Sequence, residues 1–194
     1  MKLLPLLVCQ LMLSSISMAQ ESDVEVLRSL ANQGDSAAQF DMGNRYLYGD
    51  GVEVDSFEAA RWFRLAADQG NNNAQYNLGV MYLQGTGVIA DLPAALGWFR
   101  KAAEQGDPPA QFTLATLYVN GRGVPVDPVQ AHMWFTLAAS GGHRAAAANL
   151  VLYQEMMSDA QVAEAQALAT EWVARFNRMR GTAPAAPHEA DLSR

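Results

Sequence analysis

Apolar side chains along this chain return with helical periods, in two alternating stripes. In residues 74 to 85, AQYNLGVMYLQG, the positions Ala74, Leu78 and Tyr82 recur every four residues, and Gly79 with Leu83 widens the same face. That period predicts an α-helix of about three turns. A second stripe follows at Ala95, Trp98, Phe99, Ala102 and Ala103, with spacings of 3, 4, 7 and 8 that turn one face of another helix inward. Between them, Gly85-Thr86-Gly87 ends the first helix, because glycine accepts the left-handed conformation of a helix exit. Asp91 then stands where a carboxylate caps the next helix and meets its positive end.

The whole pattern repeats every 36 residues without an insertion. Ala38, Ala74, Ala110 and Ala146 share one place, as do Tyr46, Tyr82 and Tyr118. So do the capping residues Asp55, Asp91 and Asp127, the pairs Trp62-Phe63, Trp98-Phe99 and Trp134-Phe135, and the closing Gly70, Gly106 and Gly142. Pro128, at the first position of its helix, loses no hydrogen bond, and Asp107-Pro108 repeats that signature. Large aromatics set against alanines let a Trp on one helix fill the space an Ala leaves on the next. Gly79, matched by Gly43 and by Ala115, sits inside a helix, where glycine costs about 1 kcal/mol. Close approach of a neighbouring helix backbone is the expected return.

Both ends degrade, as the ends of repeat arrays do. Val26, Leu27, Ala31 and Gly34 keep the Trp-Phe-Ala-Gly places without the aromatics, so the array opens on a degenerate second helix. Ala146 and Leu150 keep the first-helix pattern, but no Gly-x-Gly turn follows. Ser158 and Gln161 form a capping box ahead of a longer helix through Phe176. The expected organisation is a leader over 1–19, a repeat region over 20–179 with full copies at about 38–70, 74–106 and 110–142, and a disordered Pro-containing tail over 180–194.

The leader reading rests on Lys2, an apolar run from Leu3 to Ile16 and the small residues Ser17 and Ala19 flanking Met18, a cleavable export signal cut after Ala19. The run is too short and too broken by Pro5, Gln10 and serines for a membrane span. Cys9 lies mid-run, the wrong place for a lipidated cysteine. Cleavage predicts a periplasmic or secreted chain without cysteine or membrane span, whose stability comes from burial alone. With 194 residues, half of them apolar, a packed domain is expected rather than disorder. A net charge of −7 offers no basic patch for phosphates, so no nucleic-acid partner is expected.

The string A-x-x-x-L-G-x-x-Y-x-x-G-x-G-V-x-x-D, then A-x-x-W-F, A-A and Gly, stands complete at residues 74–106. Residues 38–70 differ by Met42 for leucine, and 110–142 by Ala115 for glycine. This resembles the Sel-like repeat (SLR) family, relatives of the tetratricopeptide repeat. The resemblance implies an all-α fold, a right-handed α-solenoid (superhelix) of 36-residue antiparallel helix pairs. It also implies an adaptor role, since family members assemble complexes, often in the bacterial cell envelope. Some secreted members are cysteine-rich and have been proposed to bind or hydrolyse β-lactams, which gives an alternative reading as a cell-wall-related enzyme or a β-lactam- or peptidoglycan-binding protein. This sequence departs from those members: no cysteine follows Cys9, and Lys101, the only lysine after the leader, lies three residues after Trp98 rather than after a serine.

No catalytic or metal-binding constellation accompanies the repeat. His132 and His143 lie on different elements and His188 in the tail, and no HExxH, G-x-S-x-G or phosphate loop occurs. His132 follows the repeat alanine, where other units hold Ala60 and Leu96, and reads as a partly exposed helix residue. Asp50, Glu53 and Asp55 suggest calcium, but only the capping aspartate persists in the other turns, so these read as solvated turns. Neither cofactor nor metal is expected. The expected partner is a protein or peptide. The core stripe leaves free the first-helix face at i, i+3, i+4 and i+7, and in the resembled architecture first helices line the concave surface. The predicted groove is Asp41, Asn44, Arg45 and Tyr48; Asn77, Val80, Met81 and Gln84; Thr113, Thr116, Leu117 and Asn120. Exposed Val, Met and Leu in its middle would suit a peptide or helix.

Overall fold

The computed structural model describes residues 23–181, so the leader and the tail from residue 182 lie outside it. Among the described residues every regular element is an α-helix. α1 covers residues 23–32. There follow α2 (Ser36–Tyr48), α3 (Ser56–Asp68), α4 (Asn72–Gln84), α5 (Leu92–Glu104), α6 (Pro108–Asn120), α7 (Pro128–Ser140), α8 (Arg144–Gln154) and α9 (Asp159–Met179). The six helices from α2 to α7 are each 13 residues long. The fold is an all-α solenoid of consecutive helix pairs. It divides into two compact units, one through Ala102 and the other from Ala103 onwards.

Helix ends follow the sequence chemistry. Asp55 accepts from the backbone N–H groups of Phe57 and Glu58 at 2.9 and 3.1 Å, Asp91 from Ala94 at 2.9 Å, and Asp127 from Gln130 at 3.0 Å. First helices are capped by a second periodic set, Asp35, Asn71, Asp107 and His143, each accepting from the alanine three residues on. Gly85 leaves α4 at φ 71°, a left-handed exit that an L side chain would strain. Ser158 and Gln161 close the capping box of α9, which runs one turn further than expected.

In the first unit α2 packs on α3 and α3 on α4. One cluster joins Ala59, Phe63, Ala66 and Ala67 of α3 to Ala74, Leu78 and Met81 of α4 and Trp98 of α5. Another sets Trp62 among Ala31, Ala38 and Met42. The large-against-small packing is therefore real: Trp62 and Trp98 both lie among alanines. Full burial of a side chain such as Phe63 contributes about 2–3 kcal/mol.

The interior glycine has a different cause from the one expected. A Cβ on Gly79 would lie 2.8 Å from the Phe99 ring, and one on Gly43 would lie 2.6 Å from the Phe63 ring. What approaches is the aromatic side chain of the same repeat's second helix, not a neighbouring backbone. Within each repeat the ring also meets a first-helix aromatic, in the pairs Phe40–Phe63, Tyr76–Phe99 and Phe112–Phe135 at 5.7 to 5.8 Å between centroids. At these two places the missing Cβ leaves space that the ring occupies. The helix-propensity cost is about 1 kcal/mol, less than the burial gained.

His132 also departs from expectation, for it is buried in α7 rather than partly exposed. Its register place faces the core in every repeat, being held by Ala60 and Leu96, both buried as well. Thr136 donates its hydroxyl proton to the His132 carbonyl at 2.9 Å, and its oxygen lies 3.4 Å from Nδ1. Nε2, on the other side of the ring, has no hydrogen-bond partner in the core.

Candidate partner-binding surface

A first helix in this fold shows little of itself. Its stripe of Ala74, Leu78 and Gly79 meets the core, and Gln75 turns inward too, its Nε2 donating to the Ala67 carbonyl at 3.1 Å. Gln39 does the same to Ala31 at 3.0 Å and Gln111 to Ala103 at 3.1 Å. Each glutamine ties a first helix to the last turn of the second helix before it. The recurring Ala-Gln-aromatic triplet at 36-residue spacing was the available signal for this staple.

That packing narrows the predicted groove. Met81 and Leu117, expected as its exposed apolar centre, are 3% and 5% exposed and belong to the core. The spacing predicts a free face at the back of a helix packed on one side only. In fact Met81 joins the cluster of Ala59, Phe63 and Leu78, with Tyr46 and Leu47 of α2 packed against it, so α4 is held on a second side. A narrower strip at i, i+3 and i+7 remains. Asp41, Tyr48, Gln84 and Asn120 are exposed, and Asn44, Asn77, Val80, Thr113 and Thr116 are half-buried. On α6 the strip is partly self-satisfied: Thr113 donates to the Pro109 carbonyl at 2.9 Å and Thr116 to Phe112 at 3.0 Å.

Arg45 is the exception at the Met81 register, keeping a side chain 23% exposed. It sits beside α1, in a cleft of about 550 Å³ that collects Asp41, Asn44, Arg45 and Tyr48 of α2 with Val26, Leu27 and Leu30 of α1. Of the predicted residues in this unit, the structure thus gathers Asp41, Asn44 and Arg45 in one place, while Asn77 and Val80 lie outside that cleft. Asp23 and Asp50 line it as well, and Arg45 Nη1 reaches Asp50 Oδ2 at 3.5 Å. The floor is apolar, the rim acidic. Reading the groove from first helices alone missed Val26 and Leu30. Their places, those of Trp62 and Ala66, mark them as core positions left open at the array's start.

Among the described residues no three His, Cys, Asp or Glu side chains gather as metal ligands, and no helix is long and apolar enough to cross a membrane.

Comparison with known proteins agrees with this architecture. The family model described as Sel1 repeat matches residues 36–71, 72–107 and 108–143. No curated protein matches the chain. Among solved structures, a Sel1 repeat protein from Oxalobacter formigenes is 43% identical with a TM-score of 0.62, over 66% of this chain and 96% of that one. A protective antigen of uropathogenic Escherichia coli strains, displaying an SLR fold, is 28% identical with a TM-score of 0.60, over 84% of this chain and 44% of the antigen.

Proposed function

The chain belongs to the Sel1 repeat family, and from that premise we propose that it is an exported, non-catalytic adaptor that holds a protein partner on its first-helix face in the bacterial cell envelope. Sel1 repeats generally mediate protein–protein interaction, and the observation that carries the reading here is the contrast between constant core and varied strip. The places of Ala74, Phe99 and Ala102 hold the same residue in all three repeats, whereas the place of Asn77 holds Asp41 and Thr113, and that of Val80 holds Asn44 and Thr116. A surface that only had to be soluble has no need of Val80 half-buried between polar neighbours, nor of an apolar floor beneath Asp41.

Export is supported by the character of residues 1–19, and the E. coli relative's being a protective antigen supports a place outside the cytoplasm. Fractionation of the source cells, with the N-terminus of the recovered chain read by mass spectrometry, should find it in the envelope or the medium, beginning at Gln20. A cytoplasmic chain beginning at Met1 sinks the export reading.

The adaptor reading is tested with a photo-crosslinking amino acid placed singly at Asn44, Asn77 or Thr116 and, as controls, at the exposed second-helix positions Arg61 and Glu104. Discrete protein adducts from the first-helix positions and none from the controls are expected in living cells. Adducts from the controls alone would overturn the surface assignment.

A further inference from the structure

Each end of the described helix series carries half a repeat, and the two halves are opposites. α1 stands in second-helix register, with Val26, Leu27 and Leu30 in the places of Trp62, Phe63 and Ala66. In the complete repeat those places are closed against the repeat's own first helix; in α1, Val26 is 60% and Leu30 46% exposed. α8 stands in first-helix register, and α9, the helix after it, lines one groove with Val151 without covering it. Val151 holds the place of Gly43, Gly79 and Ala115, all buried, yet is 62% exposed, and Leu152 beside it is 63% exposed. Repeat arrays ordinarily end in polar faces. Here each end of the described series carries exposed apolar side chains within a polar rim.

We propose that copies of this chain associate head to tail, α8 of one copy taking the first-helix seat beside α1 and α2 of the next, so that the two halves complete a repeat. The proposal rests on the reading of the α1–α2 cleft as a protein-binding surface and names its partner as a second copy. Three observations select that occupant. The first is register: what α1 lacks is a helix of first type, and α8 is a helix of that type with its second-helix face open.

The second is size. Inside a repeat a glycine on the first helix receives a phenylalanine from the second, as at Gly43 and Phe63. Across the proposed junction the same two places are Val151 and Leu27. At this pair the volume lost from the ring is restored at the glycine's place, so the two side chains can meet. A groove of about 540 Å³ runs along α8, walled on its far side by Val162 and Ala163 of α9, and offers apolar surface to side chains of the incoming helix.

Charge is the third. Where successive first helices stack, Asn71 donates through Nδ2 to the Ser36 carbonyl at 3.5 Å, so their N-termini lie side by side. At the junction Asp35 stands in the place of Asn71 and Arg144 in that of Ser36. The interior contact ends on a backbone carbonyl, to which a carboxylate cannot donate; the junction instead sets the Arg144 guanidinium on the residue opposite Asp35. Because the interface joins unlike surfaces, it adds copies in sequence rather than closing a two-fold pair.

The test is sedimentation equilibrium on the full chain and on two variants, Val26→Glu with Leu30→Glu, and Val151→Glu with Leu152→Glu. All four positions are exposed, so circular dichroism, and Tm at a concentration where the parent is one copy, should match the parent. The parent's average mass should rise with concentration beyond two copies, and each variant alone should hold the mass of one. Mixed, the variants should form a 1:1 complex and nothing larger, since each retains the end the other has lost. A parent that stays at one copy up to about 1 mM, near the weakest specific affinities, overturns the proposal, whether residues 1–22 or another molecule fills the seat. A dimer that survives in either variant overturns it too, by showing a different interface. Adducts to a foreign protein from Asn44 with the parent at one-copy mass would sink the head-to-tail junction and leave the adaptor reading standing; neither adducts nor association would sink both.

Discussion

α4 and α8 begin as the same helix and end in different circumstances. Both open on a capped turn, with the periodic alanine at Ala74 and Ala146 fully buried. Five residues on they part: Gly79 lies under the Phe99 ring, whereas Val151 faces solvent. Gln75 ties α4 to the helix before it, and Ala147 holds the matching place in α8. The difference teaches that a first helix draws its stability from the second helix laid on it. Where no aromatic second helix closes on it, the sequence abandons the small residue and the first-helix aromatic together, Val151 and Ala148 standing in their places.

The largest effect should come from removing the ring that makes the interior tight. Phe99→Ala empties a fully buried site and should cost about 3–5 kcal/mol in urea unfolding. Leu27→Ala, at the same register in half-buried α1, should cost less than half as much. Equal losses would show that the ends are as well packed as the middle and would break the comparison.

Next in size is the reverse perturbation. Gly79→Val drives a side chain into the Phe99 ring, and overpacking of that kind should cost about 1–3 kcal/mol despite valine's better helix propensity. Val151→Ala, in the open, should stay within about 0.5 kcal/mol of the parent. A tolerant Gly79 would mean that the ring has somewhere else to go.

The glutamine staple ranks third. The Ala103 carbonyl accepts from Gly106 N–H at 3.0 Å as well as from Gln111, so Gln111→Ala leaves it with one partner and should cost about 1 kcal/mol. The Ala139 carbonyl shows the state without a glutamine, for it accepts from Gly142 N–H at 2.9 Å and its stapling place is Ala147. Ala147→Gln should therefore change stability less than Gln111→Ala does, as judged by urea midpoints.

The helix pairs, their caps and their alanine-aromatic core were legible because each follows from one residue type repeated at one spacing. Periodicity reports which face of a helix is apolar, and that was enough to place Ala74, Leu78 and Phe99. It says less about how many sides are covered. Met81 and Leu117 were assigned to the open face because they lie off the main stripe, yet helices packed in series are held on more than one side. His132 failed for a related reason: a polar side chain was read as facing water although its register, shared with Ala60 and Leu96, faced inward. The cleft at α1 was legible in principle, since Val26 and Leu30 are core residues by register without a repeat in front of them.

His132 supplies the smallest predicted effect, and it sharpens the comparison by marking a polar cost inside the packed region. Burial holds its pKa below the ordinary 6.5, because the charged ring would have to leave water and Nε2–H would find no acceptor. The unfolded chain takes up the proton near pH 6.5 while the folded chain does not, so stability is complete above that pH and falls as pH drops from 6.5 through the lower folded value. Asp107 acts in the opposite sense. Burial raises its carboxyl above 3.8, against the lowering pull of the Ala110 N–H, so the folded chain binds that proton first and gains stability as pH falls through the raised value. The raw pH profile mixes the two, and the difference between the parent and His132→Leu separates them, since leucine already fills this place at Leu96. The variant should match or exceed the parent at pH 7.5 and widen its advantage in urea midpoint by pH 5.5. A constant difference across that range would mean that the ring protonates as readily folded as unfolded, and that its pocket admits water.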